Sequence, residues 1–302
     1  MISFRHHVVS LVAVFCALAI GVVLGGGPLA DVGMGATKRL DQERARSTAL
    51  QQESNATESA LDYSGSLVRT LGDATLSSRL DGSPVTLVTM PGVDEELVTS
   101  LSDAVGAAGG SVTGAFAVQP TLLAPGEKSL VDTLSSQLAA QEEAAGVTPD
   151  ASTYVRTGQL LGHAVATTDA GAAPADDAAV SIRESLQGAG LVTAPESETQ
   201  VAPLVLVVLG DGGSADADPV VSGLLTGLRG ATRGLVVAGS TESGTSGQLG
   251  RLREEEAEVG STVDGIETGA GQVTAVLALA ASHAGTTGDF GASGSDGTPP
   301  LG

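Results

Sequence analysis

Residues 8–24 read VVSLVAVFCALAIGVVL, an apolar run with no charge and no polar alternation. With residues 25–27, all glycine, it extends to 8–27, about 20 residues, enough to cross a hydrocarbon core ~30 Å thick. A transmembrane helix is predicted there. The pattern then changes. Residues 37–80 are rich in Gln, Glu, Arg, Ala and Leu and contain no Pro, which predicts one long helical stalk. Leu40, Ser47, Ser54, Leu61 and Val68 recur at intervals of seven, and Leu50, Thr57, Ser64 and Leu71 form a second seam. Four of these nine positions are polar, so both a solvated stalk and a coiled coil fit. Gly72, Gly82 and Pro84 mark its end.

From residue 85 the period shifts to that of an α/β body, predicted over 85–284. VTLVTM (85–90) is a short β-branched strand, and Pro91-Gly92 turns the chain. Asp94 is placed to cap a helix, with Glu95 and Glu96 in its first turn. Leu97, Leu101, Val105 and Ala108 give that helix one apolar face. SVTGAFAV (111–118) then closes a βαβ unit, which implies a parallel pair. Helices are predicted over 127–145, 154–165 and 177–187, with an Ala/Gly/Asp/Pro linker or exposed loop over 167–174 and a short strand around 191–193. PLVLVVL (203–209) is apolar at every position, the mark of a central parallel strand covered on both faces. Pro219 begins the next helix after Asp218, and Val221, Leu224, Leu225 and Leu228 face the sheet. GLVVAG (234–239) is a further strand, followed by helices over 248–258 and 272–283. The fold class expected is α/β: an N-terminal transmembrane helix, a helical or coiled-coil stalk, then a Rossmann-like parallel-sheet domain with helices on both faces. Residues 285–302, rich in Gly, Ser, Thr and Pro, are expected to form a disordered tail.

Charge gives the chain an orientation. Residues 1–7, the expected cytoplasmic N-terminus, carry Arg5 and no acid. A basic flank before an apolar run is the mark of a signal or an anchor. A cleaved signal peptide would have a shorter run and a better site than GGGPLADVG, so an uncleaved anchor is the preferred reading. The body then lies outside the cytoplasm in a single-pass topology. Lys38 and Arg39 argue the other way, offset by Asp31, Asp41 and Glu43. Residues 81–302 hold seven basic against 28 acidic side chains, the whole of the net charge of −21. No basic face remains for nucleic acid. With only 2% aromatic residues and no Trp, the chain lacks the girdles of a transmembrane barrel. Cys16, in the apolar run, is the one cysteine, so no intrachain disulfide forms.

Candidate chemistry is sparse. The loop GDGGSADADP (210–219) follows the apolar strand, where doubly wound folds place ligands. It matches neither nucleotide motif. Asp211, Asp216 and Asp218 would repel phosphate, and they offer carboxylates to a hard cation as the alternative to an ordinary turn. His163 and His283 stand alone in the sequence, and His6 and His7 sit at the membrane edge. Met90 is the body's one methionine, so soft ligands for Cu(I) are missing. No Ser-His-Asp or paired-acid arrangement stands out; the reading is non-enzymatic, with no cofactor.

MISFRHHVVSLVAVFCALAIGVVLGGG, the VTLVTMPGVDEELVTSLSDAVGAAGGSVTG unit, the LVVAG strand and STVDGIETGAGQVTAVLALA together resemble the actinobacterial copper transport outer membrane protein family of the MctB type. The likeness runs in order over nearly the whole chain. It implies an envelope protein tied to copper efflux and tolerance, with copper as transported ion and an outer-membrane pore as the family's described form. The residue pattern itself predicts helices between short strands rather than repeated ~10-residue alternating strands. Self-association through the stalk and envelope proteins as partners are expected. A structural or scaffolding envelope protein is the alternative.

Overall fold

In the computed structural model, residues 4–24, 28–195, 200–255 and 259–300 are described. The predicted glycine end of the membrane segment (25–27) and the last part of the helix expected over 248–258 (256–258) lie outside them, as do 1–3 and 301–302. The chain divides into two units, Met1–Ser64 and Gly65–Gly302.

The first unit holds α1 (Phe4–Leu24) and most of α2 (Pro28–Leu76). The stretch His6–Val23 of α1 has a mean hydropathy of 2.2, and no part of it is buried by protein. Val9, Phe15, Leu18 and Val23 all stand more than 60% exposed on different sides of the helix. A helix that is apolar all round and uncovered has no aqueous solution to its hydrophobic surface. α2 is a single helix of 49 residues, longer at its start than the sequence pattern implied: Pro28 sits at its first position, where the missing N–H costs nothing. It stops at Leu76, before the predicted end at 80, and Ser78 takes a left-handed φ of 64° just beyond. Leu50 and Leu71 of the predicted seam are exposed within the single chain.

The second unit continues through β1 (Pro84–Thr89), α3 (Glu95–Ala107), β2 (Ser111–Val118), α4 (Pro120–Leu123), α5 (Lys128–Gln141), α6 (Thr153–Val165), β3 (Ala173–Pro174), α7 (Asp177–Gly188), β4 (Val192–Thr193) and β5 (Gln200–Val201). It ends with β6 (Leu204–Val208), α8 (Asp218–Gly230), β7 (Gly234–Ala238), α9 (Thr241–Thr245), α10 (Gln248–Glu254), β8 (Ser261–Val263), α11 (Gly269–His283) and β9 (Asp289–Phe290). Seven strands form one sheet in the order β4-β2-β1-β6-β7-β8-β9, parallel except for the β2–β4 pair. β6 is central, as its continuous apolar run requires, and all five of its residues are buried. Among the five long parallel strands, the chain goes first to one side of β1 and then to the other. That is the flavodoxin-like 2-1-3-4-5 order rather than the Rossmann order, with β1 and β6 flanking the switch point.

The period of two in β6 divides the core. Leu204, Leu206 and Val208 pack with Leu101, Val105, Val276 and Leu279 of α3 and α11, and with Leu76 and Leu80. Val205 and Val207 pack on the other face with Leu160, Ile182, Leu186, Leu224 and Leu228 of α6, α7 and α8. On that second face α6 and α8 touch backbone to backbone. A methyl group at Gly158 would run into the Leu224 carbonyl, and one at Gly227 into the Val155 carbonyl.

Two expectations change. The strand near 191–193 runs antiparallel to β2, at the sheet edge. Of the two readings of 167–174, the exposed loop is the one seen: none of its residues is buried, and it is anchored by β3, which pairs with β5, and by the Ala166–Ala202 bridge. The tail expected to be disordered contains β9, which pairs parallel to β8, and Phe290 is 3% exposed. One aromatic ring and a set of polar bonds, described below, order a segment whose composition alone reads as coil.

Candidate functional site

The carboxyl ends of β1, β6 and β7 open onto a crevice of about 410 Å³ at the switch point. Its floor carries Leu97, Leu209 and Ile266, and its rim Asp94, Glu96, Asp211 and Glu267. Asp94 stands at the N-cap of α3, but its side chain makes no cap hydrogen bond, so the capping role expected of it is not realised. Asp211 accepts from the Ser240 hydroxyl at 2.7 Å, and Ser240 in turn caps α9 by accepting from the Ser243 N–H. Glu267 accepts from the Thr241 N–H with both oxygens. The Ser100 hydroxyl donates to the Gln272 amide oxygen at 3.2 Å, which fixes the opposite wall. Among the described residues no Lys or Arg lines the crevice, and its four rim carboxylates repel anions, as the loop composition implied.

The three aspartates proposed for a cation do not form one ligand set. Asp218, at the start of α8, is 4% exposed and is held by Arg251, with Gln248 donating to it at 3.1 Å. Arg251 also donates to the Gly213 carbonyl at 2.9 Å. That carboxylate fastens α8, α10 and the loop after β6, and is not free for a metal. Asp211 is engaged by Ser240, and Asp216 sits exposed on a 3-10 turn (Ala215–Ala217). Among the described residues no group of three or more His, Cys, Asp or Glu side chains is placed to hold a metal ion.

Two arrangements escaped the sequence because their partners are distant along the chain. In the first, Arg253 donates to Thr262, Ser293 and the Phe290 carbonyl, and lies 3.6 Å from Asp264. Asp264 is 1% exposed; its Oδ2 accepts from the N–H and hydroxyl of Ser293, while its Oδ1 has no hydrogen-bond partner among the described residues. This buried network pins the C-terminal residues to β8. Its one visible signal was the STVDGIE segment itself.

In the second, His163 on α6 meets Asp176, the N-cap of α7, with Nε2 and Oδ1 3.1 Å apart. The same Oδ1 accepts from the Ala179 N–H at 2.7 Å. Although burial opposes ionisation, the Ala179 and His163 bonds hold the Asp176 carboxyl below the ordinary range. Both residues line a cavity of about 400 Å³. His283, by contrast, is at the end of α11 with Nδ1 buried and without a hydrogen-bond partner among the described residues; burial, and then the charge of Arg233, push its imidazole below the ordinary value. His6, His7 and Cys16 are exposed on α1.

Comparison with known proteins adds what the geometry lacks. The family described as copper transport outer membrane protein, MctB, matches residues 1–300. The proteins named copper transporter MctB from Mycobacterium tuberculosis and Mycobacterium bovis are each 28% identical over 293 residues, covering 92% of this chain and 92% of theirs. With a match that takes in the apolar helix, the long helix and the sheet domain together, this chain belongs to the MctB copper transport family.

Proposed function

We propose that this protein is a non-enzymatic, membrane-anchored component of copper efflux in the cell envelope. α1 is the anchor, α2 a self-associating stalk, and the sheet domain an extracytoplasmic body. The family match over residues 1–300, together with an 18-residue apolar span that no protein surface covers, carries this reading. Arg5 before the span favours a cytoplasmic N-terminus. Leu50 and Leu71, exposed at 65% and 58% on one predicted seam, favour a second α2 as their cover.

Deletion of the gene in its native host is the direct test. Raised cell-associated copper and lowered copper tolerance, both restored by the full chain and not by one lacking residues 1–27, support the reading. Unchanged copper accumulation removes the transport role.

A scaffolding role in the envelope is the second reading, favoured by a body whose sequence carries no Cys and one Met, Met90, and so few soft ligands for Cu(I). Envelope proteins recovered with the purified chain, with no copper phenotype on deletion, would select it.

A further inference from the structure

We propose that the carboxyl end of the sheet is a docking groove for an extended peptide segment of a partner protein, one that carries arginine or lysine beside leucine-like side chains. The inference goes beyond the copper reading and does not depend on it. It rests first on shape. A second cavity, of about 450 Å³, opens beside the switch-point crevice, and Gly92, Gly210 and Asp211 line both. Met90 and Leu123 give the second cavity an apolar floor, edged by Pro91, Pro120 and Pro125. The first has Leu97, Leu209 and Ile266. Two apolar pits thus share one saddle. The saddle is low because the ends of β1 and β6 meet there backbone to backbone: a methyl group at Gly210 would run into the Pro91 carbonyl. Gly92, exposed and with a left-handed φ of 90°, has no side chain there, which lets another main chain come close. A compact ligand fills one pit, whereas an extended chain crossing the saddle places a side chain in each.

Charge selects the occupant. Asp94 and Glu96 stand on the rim, and neither side chain makes a hydrogen bond or ion pair to the described residues. Asp211 and Glu267 are held by the Ser240 hydroxyl and the Thr241 N–H, which carry no charge, so no cation among the described residues offsets them. Neither pit is lined by Lys or Arg among those residues. The carboxylates are not gathered into a ligand set for a metal ion. They ring an apolar floor instead, an arrangement that repels phosphate and draws in a guanidinium or ammonium whose apolar neighbours the floor can cover. The net charge of −21 adds a field that speeds the approach of a basic partner.

The test uses the full-length chain in a non-ionic detergent and a fluorescein-labelled octapeptide of alternating Arg and Leu, about 26 Å long when extended. Fluorescence anisotropy reads binding, and a benzoylphenylalanine in place of one Leu maps the contact by photo-cross-linking and mass spectrometry. Saturable binding is expected, with adducts confined to residues 90–97, 120–125, 209–213 and 266–267. Exchanging Arg for Glu, or Leu for Ser, in the peptide should weaken binding at least ~10-fold. Asp94→Asn with Glu96→Gln should weaken it about 10-fold. Leu97→Ala and Leu123→Ala should each weaken it about 5-fold. Glu142→Gln with Glu143→Gln, at positions that line neither pit, should leave it unchanged. Thermal melts identify any variant that fails to fold, and the exposed Asp94 and Glu96 keep the test open if an apolar variant does. Adducts scattered over the body, or equal weakening by the two acidic pairs, overturn the site. Spermidine that displaces the labelled peptide as well as unlabelled peptide does overturns the peptide occupant, because charge alone would then suffice.

Discussion

At the scale of single residues, the body is held by a few buried charges whose partners are specific. Removing Arg251 would leave the Asp218 carboxylate buried without its cation. Arg251→Met is expected to lower the stability of the body by about 3 kcal/mol, read as a shift of the urea midpoint. Pairing it with Asp218→Leu should recover much of the loss, because the uncompensated charge is then gone. His283 gives a pH signature. Its folded pKa lies below the unfolded value of about 6.5, so the unfolded chain takes up a proton first as pH falls. The stability tied to the neutral ring is complete above that value and declines as pH drops below it toward the folded pKa. His283→Gln should flatten the stability profile over that window; an identical slope in the variant would contradict the assignment. None of these partnerships could be read from sequence. Arg251 and Asp218 are 33 positions apart, and Arg253 and Ser293 are 40 apart, so spacing rules that work within one helix say nothing of them.

At the scale of elements, the hydrophobic pattern was informative wherever burial is regular. β6 and β7 were visible because both faces of each are covered, and α3 because its apolar residues recur at three and four. What stayed hidden was set by the far side of the sheet. The direction of β4 depends on its arrival at an edge, and the order of the tail depends on Phe290 and on Arg253. Phe290→Ala should therefore cost about 3–5 kcal/mol, and in the wild-type protein the segment around 290 should resist proteases. Rapid cleavage there without loss of the body would show that β9 is not docked. The α6–α8 contact sets a second limit. Gly227→Ala forces a methyl group against the Val155 carbonyl, and a loss of about 1–3 kcal/mol in thermal or denaturant unfolding is expected.

At the scale of the whole molecule, one uncovered apolar helix and one acidic α/β body share a chain, and the long helix α2 runs from one unit into the other. Composition foretold both parts, because an apolar run of this length and a net charge of −21 are extremes that local sequence cannot hide. It could not reveal the 2-1-3-4-5 strand order, which is a property of crossovers. If α2 self-associates, replacing Leu50 and Leu71 together by Glu should shift the detergent-solubilised protein to a smaller species in sedimentation. The central claim is that α1 anchors the chain with its body outside the cytoplasm. The most direct measurement is labelling of an exposed Ser129→Cys on α5, in a Cys16→Ser background, by a membrane-impermeant maleimide. The account predicts labelling in spheroplasts with an intact membrane, and recovery of the labelled chain in the carbonate-resistant membrane fraction. Labelling only after lysis, or release of the chain by carbonate, would contradict it.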